Sequence, residues 1–218
     1  MYLFAAFGAV VAAYLLGSIN FAVIFSKIFI KRDVRELGSG NAGMTNVMRA
    51  VGVLPGILTF VFDALKGFAG CILGKAVFDW LVNQTGNPLY LAQYGVYICG
   101  LACMLGHVFP IFFRFKGGKG VAISVGVFAV CCYPAIIIGL VVFGILLSTV
   151  KIMSISSLSA TVVVVLGSVV FNLIYPVGAV WPQILCTVAM GFIVFIKHRE
   201  NIVRLIHGEE KKFTVKKG

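Results

Sequence analysis

Gly120–Val150 reads GVAISVGVFAVCCYPAIIIGLVVFGILLSTV, 31 residues without a charge, ended by Lys151. As one helix it would be about 45 Å long at 1.5 Å per residue, well beyond the ~30 Å hydrocarbon core of a bilayer. Near its middle stands Cys131-Cys132-Tyr133-Pro134, and a proline disfavours helix in the residue before it. The stretch therefore reads as two short helices broken near Pro134. That break decides on which side of a membrane Lys151 and everything after it must lie.

The rest of the chain says that a membrane is the right solvent. Of 218 residues, 61% are hydrophobic and 11% charged, and the mean hydropathy is +1.06. A soluble domain carries about a quarter charged residues, so a water-soluble fold, a disordered chain and a disulfide-stapled secreted domain are excluded. The formal charge of +11 is clumped. Five basic and two acidic groups lie from Lys27 to Arg49; Arg114, Lys116 and Lys119 form a second cluster; seven basic and three acidic groups lie from Lys197 onward. Such clusters beside apolar spans mark cytoplasmic helix ends. Nucleic-acid binding is the poorer reading, because no soluble basic module exists to carry it. The six cysteines all lie in apolar stretches without a C-x-x-C pair, and the three histidines are scattered. They read as packing residues, and neither a metal nor a cofactor is expected. The N-terminus lacks a basic n-region, so no cleaved signal peptide is expected.

Apolar segments run over 3–26, 54–78, 89–112, 120–150, 154–175 and 178–196. With the basic 27–49 region in the cytoplasm, the N-terminus and the 79–88 loop fall outside, and Arg114–Lys119 falls inside. Only a split 120–150 segment keeps Lys151 and the basic end inside as well. The prediction is an all-α polytopic membrane protein of about seven transmembrane helices, N-out and C-in. It has one helical domain over 1–208, cytoplasmic motif loops at 31–52 and 113–120, and a basic cytoplasmic tail over 209–218. The basic regions and Ser154-Ile155-Ser156-Ser157 gather on one face, which points to a cytoplasmic site.

The first loop contains Gly38-Ser39-Gly40-Asn41-Ala42-Gly43-Met44-Thr45-Asn46 and ends at Arg49. Its formal G-x-G-x-x-G match is not a dinucleotide site, since no strand precedes it and Asp63 falls in a hydrophobic span. Close-set glycines still let backbone N–H groups approach an anion. Ser39, Asn41, Thr45 and Asn46 add neutral donors, and Arg49 a bidentate fork for phosphate. An ordinary flexible glycine loop is the plain alternative. The second loop, Gly106-His107-Val108-Phe109-Pro110 followed by Phe115-Lys116-Gly117-Gly118-Lys119-Gly120, is not a Walker A loop, because Phe113 stands where its first glycine would be. It nevertheless joins a titratable histidine and two lysines to bare backbone at a helix start. Asp63 and Lys66 can pair at i, i+3 inside a span. Ser154 and Ser157 share a helix face, where serines also serve as caps. His198-Arg199-Glu200-Asn201 closes the last span, where a basic stop sequence would also stand.

Taken together and in order, Gly17-Ser18-Ile19, the Gly38–Arg49 loop, Asp63-x-x-Lys66-Gly67, Gly106-His107 with Lys116–Gly120, and His198-Arg199-Glu200-Asn201 resemble one family: the bacterial integral-membrane acyl-phosphate:glycerol-3-phosphate acyltransferases. The resemblance runs from about residue 10 to residue 208. It implies a seven-helix protein of the bacterial cytoplasmic membrane that moves an acyl group from acyl-phosphate to the sn-1 hydroxyl of glycerol 3-phosphate. The products would be lysophosphatidic acid and inorganic phosphate, the first step of phospholipid synthesis. A functional link to the enzyme that makes acyl-phosphate follows from the same resemblance. Carried onto matching positions, Ser39, Asn41, Thr45 and Arg49 belong to the phosphate-handling loop, Lys119 binds phosphate, and His198 and Asn201 hold glycerol phosphate. Two positions depart from the pattern: Asn20, where proline is usual, and Met44, where alanine is usual.

The residues suit this chemistry on their own terms. Both substrates are phosphates, and a basic, glycine-rich mouth is what they require. Acyl-phosphate is a mixed anhydride with a good leaving group, so direct transfer needs neither metal nor acyl-enzyme. No H-x-x-x-x-D signature follows any histidine. The expected catalytic set is Ser39, Arg49, His107 and Lys119. The expected substrate-binding set adds Gly38, Gly40, Asn41, Thr45, Asn46, Lys116, Gly117, Gly118, Ser154, Ser157, His198 and Asn201. A carrier for organic phosphates is the other class, but carriers place the site near the midplane of repeated halves, and no repeat is visible here.

Overall fold

The structure, a computed structural model, describes residues 1–213. These residues form ten α-helices and no strand. α1 (Tyr2–Gly17) and α2 (Phe21–Ile30) make the first apolar rod, followed by the short α3 (Met44–Ala50) and the long α4 (Val53–Thr85). Then come α5 (Ala92–Val108), α6 (Val121–Cys131), α7 (Tyr133–Thr149), α8 (Met153–Ile174), α9 (Trp181–Lys197) and α10 (Arg199–Ile206). Four segments are long and apolar enough to cross a membrane: 2–30, 53–85, 92–113 and 153–174. The α9–α10 pair, bent by 58°, makes a fifth if taken as one span, and α6 and α7 are shorter apolar helices.

The break expected near Pro134 is present. α6 stops at Cys132, and Pro134 stands in the first turn of α7, where a missing N–H costs nothing. Backbone freed inside an apolar bundle needs a partner. Tyr97 supplies one: its hydroxyl donates to Cys131 O (3.1 Å) and accepts from Asn172 Nδ2 (2.9 Å). α6 is 11 residues long, about 16 Å, so the α6–α7 pair runs out and back as a short hairpin. Both of its ends lie at the same face, since Lys119 reaches Asn201 and Lys151 O accepts from Phe213 N (2.6 Å).

α4 lies at the centre, packed on α1, α5 and α6, while α8 packs on α7 and α9. Close approach of α1 to α5 depends on two glycines. A Cβ at Gly17 would lie 1.9 Å from Cys103 O, and one at Gly106 would lie 2.1 Å from Tyr14 O. Small residues at such crossings let backbones meet. The outward faces carry large apolar side chains such as Leu166 (60% exposed) and Phe192 (65%), as lipid contact requires.

Three elements differ from the sequence expectation. The first rod is not continuous through 3–26: it unwinds at Ser18–Asn20, and the Asn20 side chain accepts from Val23 N (3.2 Å) to cap α2. This gives the first departure from the family pattern a local purpose. α4 continues past 78 to Thr85, because Lys75 and Asp79 lie on exposed positions and do not interrupt it; Gly86 ends it in the left-handed conformation (φ +63). Finally, the tail expected from 209 does not leave the domain at once. Its described part, 209–213, folds back over the polar face through Glu210, whose carboxylate finds three donors there. Residues 214–218 of that tail lie outside the described residues.

Candidate active site

The first glycine loop is shaped by one side chain. Asn46, on α3 and 3% exposed, shares its two amide hydrogens among Val34 O (3.0 Å), Leu37 O (2.9 Å) and Asn41 O (3.1 Å), while its Oδ1 accepts from Ser39 N (3.0 Å). Asn46 thus spends its polar capacity on the loop itself. Gly38 (φ +58) and Gly40 (φ +70) adopt the left-handed turns this requires, and a Cβ at Gly38 would fall 2.3 Å from Asn46 Oδ1. Ser39 and Gly40 are left exposed, and Asn41 and Thr45 half-buried.

Arg35 ties this loop to the second one. Its guanidinium chelates Asp33 (2.7 Å at the closest pair), donates to Phe113 O (2.9 Å) and lies 5.7 Å from the Phe113 ring centroid. In the second loop Gly118 is wedged between the two halves of the site. Its N–H donates to His107 O (3.2 Å), and a Cβ there would lie 2.3 Å from His107 Nε2 and 2.8 Å from Ala42 O. Only a bare backbone fits. His107 itself is 5% exposed, with Nδ1 3.4 Å from Asp63 Oδ1, so the structure places this residue behind the loop. Lys116 is exposed.

The residues expected from the second half of the chain do converge. Lys119 Nζ donates to Asn201 Oδ1, and Asn201 Nδ2 donates to Glu210 Oε1 (2.6 Å). Ser154 Oγ donates to the same oxygen (2.9 Å), and Arg204 Nε to Glu210 Oε2 (2.7 Å). Burial pushes the Lys119 ammonium down to about 8, with Glu210 pulling the other way. Burial also works to raise the Glu210 carboxyl, but the donors Arg204, Asn201 and Ser154 outweigh it and hold it below the usual carboxylate range. His198, 3% exposed at the α9–α10 bend, bonds through Nδ1 to Val194 O (2.8 Å). Arg49 approaches from α3 along the folded-back segment: its Nη2 donates to Lys212 O (3.3 Å), and its guanidinium lies 5.9 Å from the Phe213 ring centroid.

Directly beneath this cluster opens an apolar cleft between α4, α6, α7, α8 and α9. Ser157, one turn beyond Ser154, lines it together with Phe60, Val121, Ala160 and Val194. The arrangement sets cations and amide donors at a polar face above a slot fit for hydrocarbon. It is the layout that an amphiphile with an anionic head demands.

A sequence model described as Glycerol-3-phosphate acyltransferase matches residues 7–208. The chain belongs to the glycerol-3-phosphate acyltransferase family. It is 36% identical over 206 residues to glycerol-3-phosphate acyltransferase 2 of Bacillus anthracis, covering 94% of this chain and 97% of that one. It is 40% identical over 208 residues to the glycerol-3-phosphate acyltransferase of Aquifex aeolicus, covering 94% and 97%. Among solved structures it resembles PlsY (YgiH), an integral membrane glycerol 3-phosphate acyltransferase, at 35% identity. The glycerol 3-phosphate form gives a TM-score of 0.77 with 96% of each chain covered, and the lysophosphatidic acid form 0.74 with 96% and 95% covered. This glycerol-3-phosphate acyltransferase is therefore an all-helical integral membrane enzyme of phospholipid synthesis. Sequence reasoning missed Arg204 and Glu210 in its polar cluster. The available signal was the i, i+3 spacing of Asn201 and Arg204, which puts both on one face of α10.

Proposed function

We propose that this enzyme takes its acyl group from acyl-phosphate and passes it directly to the sn-1 hydroxyl of glycerol 3-phosphate. The observation that carries this reading is the polar cluster of Lys119, Ser154 and Asn201 standing over the apolar cleft. The hydrocarbon chain of the donor lies in the cleft, and its phosphate reaches Lys119, Arg49 and the glycine-loop N–H groups. Glycerol 3-phosphate is held by His198, whose Nδ1 is committed to Val194 O and whose Nε2 remains for a ligand, and by Asn201. The sn-1 oxygen attacks the acyl carbonyl carbon, the new C–O bond forms, and the bond to the phosphate oxygen breaks. Charge on the carbonyl oxygen and on the departing phosphate is met by preorganised donors, the term that usually dominates such catalysis. A substrate phosphate oxygen takes the hydroxyl proton. The activated anhydride makes a metal or a covalent acyl-enzyme unnecessary.

The test is phosphate release by the purified protein in detergent. Release should require both substrates, and a fatty acyl thioester should not replace acyl-phosphate. Incubation with donor alone should leave no acylated residue by mass spectrometry. Ala160→Phe, which fills the cleft, should cost long-chain donors much more than short ones. Efficient use of thioesters, or an unchanged chain preference in that variant, overturns the corresponding part of the reading.

We further infer seven spans in the bacterial cytoplasmic membrane, N-out and C-in, with the site facing the cytoplasm. Support comes from the basic clusters and from the shared face of Arg49, Lys119, Lys151 and Phe213. In a background free of native cysteines, a cysteine at 151 should resist impermeant reagent added from outside, and one in the 79–88 loop should react. The reverse pattern overturns the topology.

A further inference from the structure

Asp63 and Lys66 on α4 (side chains 2% exposed each) and His107 on α5 (5%) form a cluster in the helical interior, away from the polar face. Charges buried in this way are costly to desolvate, and well-packed apolar residues often serve stability as well or better. What they are attached to at either end gives them a purpose. Lys66 Nζ lies 2.7 Å from Asp63 Oδ1 and donates to Ile19 O (2.6 Å), a carbonyl of the unwound link between α1 and α2. His107 Nδ1 lies 3.4 Å from the same Asp63 oxygen. At that separation no hydrogen bond closes, and the carboxylate acts on the ring through its charge, favouring the orientation that turns Nδ1 toward it.

Beyond the ring, His107 forms the floor of the second glycine loop. Its carbonyl accepts from Gly118 N (3.2 Å), a Cβ at Gly117 would lie 2.0 Å from that carbonyl, and one at Gly118 would lie 2.3 Å from Nε2. The next residue is Lys119. A tilt of the imidazole would therefore press on Gly118 and carry Lys119 with it.

We propose that Asp63 is a positioning residue: it fixes the His107 ring, which sets the height of the Gly117–Gly118 backbone and so the placement of Lys119 against substrate phosphate. This rests on the reading above that the second loop handles phosphate. Lys66 completes the device by balancing the carboxylate and anchoring it to the α1–α2 link, where donors would otherwise be lacking for Ile19 O.

The experiment is full kinetics of Asp63→Asn and of the double variant Asp63→Asn/Lys66→Met in reconstituted membranes. The double variant removes the pair together, so it leaves no lone charge in the interior. Both should raise the KM for the acyl donor about tenfold or more, the scale of a small displacement of a binding group. The KM for glycerol 3-phosphate should stay within about twofold, and the double variant should keep the parent's thermal midpoint. A normal acyl-donor KM in a well-folded double variant overturns the proposal. So does a loss spread evenly over kcat and both KM values together with a lowered midpoint. Lys119→Ala, assayed alongside, separates the two readings. Normal acyl-donor binding in Lys119→Ala overturns the loop assignment beneath this proposal. A defect there with none in the Asp63 variants overturns the positioning role alone.

Discussion

Lys119→Ala should lower kcat/KM by roughly one to two orders of magnitude, the worth of a charge-assisted hydrogen bond at about 1.5–3 kcal/mol. The same side chain predicts a pH profile. Its ammonium is held at about 8 by burial, and phosphate recognition uses the protonated form. The charge is thus present below that pH and lost as pH rises through it, so kcat/KM should be level on the acid side of about 8 and fall beyond. Lys119→Arg stays ionised past pH 12. It should remove that alkaline fall while losing some rate, because a planar fork replaces a compact point charge. Arg49→Lys makes the converse change at the other cation and should also impair activity strongly. Near-normal rates in Lys119→Ala and Arg49→Lys, measured in reconstituted membranes on variants shown to be folded, would falsify the phosphate-cradle assignment.

Asn46→Ala should be at least as damaging, for a different reason. It strips partners from Ser39 N and from the carbonyls of Val34, Leu37 and Asn41. Each group left unsatisfied and out of water costs about 1–3 kcal/mol, so the loop should open and activity fall by about two orders of magnitude. The apolar core among α4, α5 and α6 is untouched, and the protein should still insert and fold. Asn46→Asp is the sharper variant. It is nearly isosteric and keeps an acceptor for Ser39 N, but it turns a carboxylate toward three carbonyls and should rescue nothing. Protease sensitivity over residues 31–49 reads the opening directly. Parental resistance and parental activity in both variants would show that Asn46 does not hold the loop.

Most of the architecture could be read from residue spacing. The charge-free length of 120–150 and Pro134 together located a break that the structure places at Cys132. Gly17 and Gly106 were read only as motif residues; that they let α1 and α5 meet is seen in the structure alone. The bend at Ser18–Asn20 was not foreseen, because its consequence depends on Asn20 capping α2, a local hydrogen bond that hydropathy does not report. The site divides in the same way. Lys119, Ser154 and Asn201 were named from their loops and do meet. Asn46 was named as a ligand for substrate, while its side chain is committed to the loop backbone, since donor-rich residue types look alike in sequence whether they hold a ligand or a turn. Glu210 stood in a basic tail, and only the folding-back of 209–213 reveals its partners. Long-range pairing of this sort leaves no periodicity behind.

Glu210 also has a consequence for biogenesis. The polar cluster takes Lys119 from before α6, Ser154 from the start of α8, and Asn201, Arg204 and Glu210 from the final stretch of a 218-residue chain. Its carboxylate is the piece that joins the last helix to α8, and it leaves the ribosome only after every apolar helix has been made. A stalled or truncated chain can insert nearly all of its helices and still lack the keystone of the cluster. Synthesis past Glu210 is thus a condition for assembling the cluster, and a chain stalled before it holds its cationic loops without the carboxylate that braces them.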